Sequence, residues 1–267
     1  MSATEPSGRP LALVTGASSG IGLALADELA QRGYDLVIAA DEPQIDAAAD
    51  AIAVRGGDVQ PVQIDLATEE GVRQLAEEVV GRDALEVVCL NAGIGVRGEF
   101  IATDLAEHLR VVDLNVRGVV LLAGLVLPPM AARGHGRLLI TSSIAAEMAG
   151  PQLSTYNASK TFLLSFAEAL HQELEARDVA VTALMPGGTD TRFFERAHME
   201  DSKLAQEDKD DPADVAADAV DALLAGDAKV IPGSFKNKVL AAASAVLPDA
   251  VVGRAHVDQV ESKPKGG

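Results

Sequence analysis

TGASSGIG, Thr15 to Gly22, decides how the rest of the chain is read. It follows the apolar run LALVT, Leu11 to Thr15, and opens a helix-period segment that continues through Arg32. That segment stops at Gly33, a residue suited to the left-handed position past a helix end. A Gly-rich turn between a strand and a helix lets the backbone approach a pyrophosphate at the positive end of the helix. Gly16, Gly20 and Gly22 have the spacing GxxxGxG, not GxGxxG, and the GK[ST] of a nucleotide-triphosphate loop is missing. Gly-rich turns arise by chance after many strands, so nucleotide binding stays open on this motif alone. Its place in the first strand–helix unit favours it.

Working outward, short apolar runs alternate with helix-period segments, the pattern of strands and crossover helices in a parallel sheet. DLVIAA (35–40) reads as the second strand, DVQPVQID (58–65) holds the third and ALEVVCLNAG (84–93) contains the fourth. A long helix is expected from about Asp104 to Ala132, then strand RLLITSS (137–143), a further helix, and strand VAVTALMPG (179–187). The almost entirely polar stretch 197–211 reads as a mobile loop before a helix that begins near Pro212, and AKVIPG (228–233) supplies a last strand. The fold class is therefore α/β, a Rossmann-type doubly wound parallel sheet of about seven strands with helices on both faces. One domain over 8–258 is expected, with flexible termini at 1–7 and 259–267. The apolar segment 238–248 is expected to pack on the core or on another subunit rather than lie on a membrane.

Forty acids against 22 bases give a formal charge of -18, which repels a phosphate backbone or an anionic membrane surface, so nucleic acid is not an expected partner. The surplus fits ordinary solubility or a salt-rich habitat. The single cysteine, Cys89, lies in the apolar run LEVVCL and reads as a small buried hydrophobe, which makes the cytoplasm the expected compartment. MSATEPSGRP has no apolar leader core, and no stretch is expected to reach the roughly 18 apolar residues of a membrane span. The five histidines are scattered without ligand spacing, so no metal is assigned.

TYNASK, Thr155 to Lys160, holds one of only two tyrosines. Residues four apart share a helix face, so the Tyr156 hydroxyl and the Lys160 ammonium can reach a common point. A phenol beside a cation is a tunable acid; the alternative is an ordinary surface pair.

These motifs together resemble the short-chain dehydrogenases/reductases in their compact single-domain branch. The resemblance covers Leu11 to about Pro232 and rests on TGASSGIG, Asp65 after the third strand, NAG at Asn91 to Gly93, Asn115 in LNVRG, Ser143 in ITSSIAA, YNASK at Tyr156 to Lys160, and PGGTDT at Pro186 to Thr191. The family often has NNAG where this chain has LNAG, with Leu90 in place of a polar group.

The resemblance implies a catalytic tetrad of Asn115, Ser143, Tyr156 and Lys160, with Ser142 the less favoured of the serine pair. It implies a nicotinamide cofactor along Gly16, Ser18, Ser19, Gly20, Ile21, Gly22, Asp41, Asp65, Leu66, Asn91, Ala92, Gly93, Tyr156, Lys160, Pro186, Gly187, Thr189 and Thr191. Hydride exchange with a secondary alcohol also needs a general base or acid at the oxygen. A phenol of pKa about 10 serves only if its phenolate is favoured, as a neighbouring cation does. Tyr156 is accordingly expected to titrate well below Tyr34, which has no evident partner. Lys160 is also expected to hold ribose hydroxyls, Ser143 the substrate oxygen, and Asn115 a water chain.

Asp41 stands where an acid accepts from the adenosine ribose and repels a 2′-phosphate, so NAD is expected over NADP; alternatively Asp41 caps the next helix. The substrate is expected to be a small-molecule alcohol or carbonyl compound, with Met148, Gln152, Phe193 and the polar loop as candidate walls. A homodimer or homotetramer is implied, with Leu163, Phe166 and Leu170 on faces shared between core and partner. A dinucleotide-binding redox sensor or scaffold of the same fold is the alternative; replacement of Tyr156 or Lys160 would have favoured it.

Overall fold

The computed structural model describes residues 8–82, 84–189, 191, 193–197 and 209–233. Its strands are β1 (Leu11–Thr15), β2 (Asp35–Ala40), β3 (Val59–Gln63), β4 (Leu85–Leu90), β5 (Gly136–Thr141), β6 (Val179–Leu184) and β7 (Lys229–Val230). They form one sheet in the order β3-β2-β1-β4-β5-β6-β7, with every pairing parallel. The expected termini 1–7 and 259–267, the loop positions 198–208 and the apolar segment 238–248 lie outside the described residues, as does the end of the expected domain beyond 233.

The helices are α1 (Gly20–Gln31), α2 (Gln44–Ala53), α3 (Glu69–Val79), α4 (Leu105–Val112), α5 (Val119–Arg133), α6 (Ser154–Leu174), the one-turn α7 (Phe193–Arg196) and α8 (Pro212–Ala225). Alternation along the strands divides the core. Leu11 and Leu13 of β1 face one apolar cluster with Leu75, Leu122, Val126 and Leu163, from α3, α5 and α6. Ala12 and Val14 face the other with Leu25, Ile45, Cys89 and Val220, where α1, α2 and α8 pack. Period-two side chains buried on both faces are what a sheet covered by helices on each side requires.

Two expectations need correction. The long helix is not uniform: between α4 and α5 the chain makes a π-helical turn over Asp113–Gly118, which carries Asn115. Such turns are rare and occur frequently at functional sites. The segment Leu105–Arg133 is also long and apolar enough to cross a membrane by length and composition, contrary to the expectation that no stretch would be. Half of its most apolar window is buried inside the protein, the packing of a core helix.

β1 is the turning point of the sheet. The chain winds from it to β2 and β3 on one side, then returns to β4 on the other. The C-terminal ends of β1 and β4 therefore border a crevice, the place where sheets of this kind bind ligands.

Candidate active site

The turn after β1 opens that crevice. Gly16 has φ +68, and a Cβ there would lie 2.8 Å from Ala92 Cα; one on Gly22 would collide with the Gly16 carbonyl oxygen. Backbone is packed directly on backbone, so the turn admits only glycine at these two places. Ser19 stands at the N-cap of α1, yet its side chain makes no cap hydrogen bond, whereas Thr68 caps α3 and Asp211 caps α8. The first N–H groups of α1 are thus left for an anion in the cleft.

Thr15 ties the turn to β4. Its hydroxyl accepts from the backbone N–H of Asn91 (3.0 Å) and Ala92 (3.1 Å) and donates to the Cys89 carbonyl (3.3 Å). The Asn91 amide donates to the Thr15 carbonyl (3.2 Å) and accepts from the Thr141 hydroxyl (3.2 Å). Asn91 therefore knits three strand ends together. Leu90 belongs to the core cluster and takes no part in the cleft lining, so its replacement of a polar residue costs the cleft nothing.

At the far end of the cleft Asp41 and Asp65 line the wall. Asp41 does not cap α2, whose N-cap is Pro43 with no side-chain bond. Arg110 of α4 approaches both acids instead, at 3.0 Å from Asp65 and 3.8 Å from Asp41. Sequence reasoning missed Arg110, because nothing in the local spacing of α4 ties it to a carboxylate forty-five positions earlier. Burial opposes ionisation of Asp65, but the Arg110 guanidinium and the Ala67 N–H more than offset it and hold the carboxyl below its usual range.

At the other end Ser143, Tyr156 and Lys160 meet. Ser143 starts a short 3-10 turn (Ile144–Glu147); its hydroxyl accepts from the Ala145 N–H (3.1 Å), donates to the Pro186 carbonyl (3.5 Å), and favours ionisation of the neighbouring Tyr156 phenol. Ser142 is spent elsewhere, donating to the Lys160 carbonyl at 2.7 Å. Lys160 is buried, 5.7 Å from the Tyr156 ring centroid, and its Nζ donates to the Thr141 carbonyl at 2.9 Å. Asn115 is fully buried behind them. Its side chain bonds both backbone groups of Ile94 (2.9 Å each) and the Ser159 hydroxyl (3.0 Å). All the residues expected along the cofactor line the one cleft, while Asn115 stands outside its surface and Gln152 does not line it.

A family model of short chain dehydrogenases matches residues 10–201. The chain belongs to the short-chain dehydrogenase family. It is 40% identical over 183 residues to an uncharacterized oxidoreductase of Myxococcus xanthus, covering 66% of this chain and 70% of that one. It is 33% identical over 193 residues to a 3-oxoacyl-[acyl-carrier-protein] reductase of Synechocystis, covering 71% and 78%. Among solved structures it is similar to a short-chain dehydrogenase from Sphingobium yanoikuyae in complex with NADPH, with TM-score 0.79, 26% identity, and 88% and 93% coverage.

Electrostatics in this dehydrogenase cleft depart from expectation. Burial pushes the Tyr156 phenol up to about 12, opposed only by the Ser143 hydroxyl, and burial pulls the Lys160 ammonium down to about 8. Desolvation disfavours both charged forms, so without cofactor the lysine does not yield an easily ionised phenol. Tyr34 does have a partner: its hydroxyl donates to Glu86 at 3.2 Å, and burial together with the Glu86 charge raises it also to about 12. Both phenols are raised alike, so the expected separation of the two tyrosines is absent. A nicotinamide dinucleotide fits the residues present, with uncapped N–H groups for the pyrophosphate, acids at the ribose end, and a phenol and an ammonium at the other.

Proposed function

We propose that this short-chain dehydrogenase exchanges a hydride between NAD and a secondary alcohol or ketone, with Tyr156 as general acid and base. The observation that carries the reading is the meeting of Ser143, Tyr156 and Lys160 at one end of a cleft whose other end holds Asp41 and Asp65. The bound cofactor supplies the hydride donor or acceptor. Tyr156 gives its proton to the carbonyl oxygen in reduction and takes it back in oxidation, and Ser143 donates to that oxygen as charge develops. Lys160, 5.7 Å from the Tyr156 ring, would hold the ribose hydroxyls and bring its charge to the phenol. Asn115 holds Ile94 in place; with its amide consumed by Ile94 and Ser159, a water chain resupplying protons would start from neighbouring backbone.

NAD over NADP is supported by Asp41 and Glu42 at the end of β2 and by Ser19, which is not basic, in the turn. A homodimer or homotetramer is supported by the exposed apolar stripe of Leu105, Leu109 and Val112 on α4 and by exposed Val120 on α5 and Phe162 on α6. Leu163, assigned above to a shared face, is wholly core, while Phe166 and Leu170 are partly buried beside it. A cytoplasmic setting, where the buried Cys89 stays reduced, belongs to the same proposal. Tyr156→Phe tests the chemistry: turnover should fall at least about a thousandfold with NAD binding nearly intact, because only the hydroxyl is lost. Turnover near that of the parent chain would overturn the assignment.

A further inference from the structure

The substrate end of the cleft has a consistent chemistry. The described lining includes the apolar side chains of Ile94, Ile144, Ala145, Met148, Leu153 and Phe193, with the hydroxyls of Ser143 and Tyr156 as polar groups beside them. Phe193 of α7 reaches back over the catalytic tyrosine, the two ring centroids 5.0 Å apart and tilted by 43°. It fits there because its neighbour is a glycine: a Cβ on Gly95 would stand 2.8 Å from Phe193 Cζ. The charged residues among the described lining are Asp41 and Asp65, at the adenosine end, and Lys160, already bonded to Thr141.

Among the described residues of the lining, a carboxylate or phosphate on the substrate would meet no cation beside Tyr156 other than Lys160. A polyol would lose water from several hydroxyls and find, among the described apolar side chains, few partners to replace it. Both are costly in an apolar site. The chain's charge of -18 adds long-range repulsion of any anion.

Resting on the oxidoreductase reading above, we propose that the substrate is a neutral ketone or its secondary alcohol, bearing apolar rather than ionic or polyhydroxylated substituents, seated between Phe193 and Met148. In reduction, hydride from the reduced cofactor forms the new C–H bond. The carbonyl π pair passes to oxygen, and the Tyr156 proton closes the O–H bond, leaving an alcohol and the oxidised cofactor.

The test uses the full chain, reduced cofactor, and matched probes: acetophenone, its para-carboxylate, and an open-chain ketose. Acetophenone should exceed the carboxylate in kcat/KM by about a hundredfold or more, the scale on which an unpartnered buried charge is rejected. Met148→Arg should narrow that ratio at least about tenfold by supplying the missing cation. Phe193→Ala should lower kcat/KM for acetophenone by roughly tenfold or more through lost apolar contact.

Faster turnover of the carboxylate or the ketose, or no turnover and no cofactor-dependent Tm shift with acetophenone, would overturn the proposal while leaving the oxidoreductase reading standing. Binding of the reduced cofactor, followed by its fluorescence, separates the two. A chain that binds no cofactor fails at the earlier reading and takes this proposal with it.

Discussion

Lys160 Nζ stands 5.7 Å from the centre of the Tyr156 ring, but its hydrogen bond goes to the Thr141 carbonyl, 2.9 Å away. The cation thus stands beside the phenol, held by backbone. Both phenols are pushed to about 12, so absorbance titration of the cofactor-free protein should show no step near the ordinary value of about 10. Unfolded chain ionises first, so stability is full below pH 10 and is withdrawn between pH 10 and 12 as the folded phenols retain their protons. Oxidised cofactor should bring one step down, and Tyr156→Phe should delete that step. A native step near 10 without cofactor would contradict the role given to burial.

Lys160 imposes a second pH dependence with its own sign. Held near 8 in the free protein, the ammonium is charged below that pH and neutral above it. Ribose hydroxyls are bound better by the charged form, so the dissociation constant of NAD should be flat below pH 8 and rise by up to about tenfold per pH unit above it. Lys160→Met should bind NAD more weakly with no inflection there. An inflection that survives the substitution would assign the titration to another group.

Asp41 and Arg110 make the adenosine end a balance of charges. Asp41→Ala should tighten NADP binding by about tenfold or more, since it removes the repulsion and leaves Arg110 within reach of a 2′-phosphate. Arg110→Ala should weaken both cofactors by loosening Asp65, without changing their ratio in favour of NADP. Dissociation constants measured at one ionic strength decide it; tighter NADP binding by the parent chain would reverse the preference.

The stripe on α4 can be tested without any substrate. Leu109 is 52% exposed and Phe162 41%, large apolar side chains that an assembly would cover. Leu109→Glu combined with Phe162→Glu should reduce the mass seen by light scattering to that of one chain. A parent chain that is already monomeric at micromolar concentration would refute the assembly.

The sheet was legible because its signals are local. LALVT, DLVIAA and LEVVCL are runs that only a strand covered on both faces buries, and Gly33 does end the first helical segment. TYNASK was legible for the same reason, since one helical turn fixes Tyr156 to Lys160. What escaped depends on solvent and on distance along the chain. The phenol's response to burial cannot be read from a neighbouring lysine, and the Glu86 partner of Tyr34 lies fifty-two positions away. Arg110 reaches Asp65 from α4, forty-five positions along the chain. The π-helical turn at Asn115 has no residue signature among ordinary helix formers.

Thr15 gives the cleft a particular economy of motion. Its hydroxyl fastens the backbone of Cys89, Asn91 and Ala92 to the end of β1, so the turn after β1 and the end of β4 are set by the same contacts that close the sheet. A cofactor arriving there meets a socket cast during folding and loses little chain entropy in forming it. Thr15→Val keeps the volume and removes the bracket. Its penalty should therefore appear as a slower, weaker cofactor association from a loosened floor, in a protein whose helices and strands are otherwise all in place.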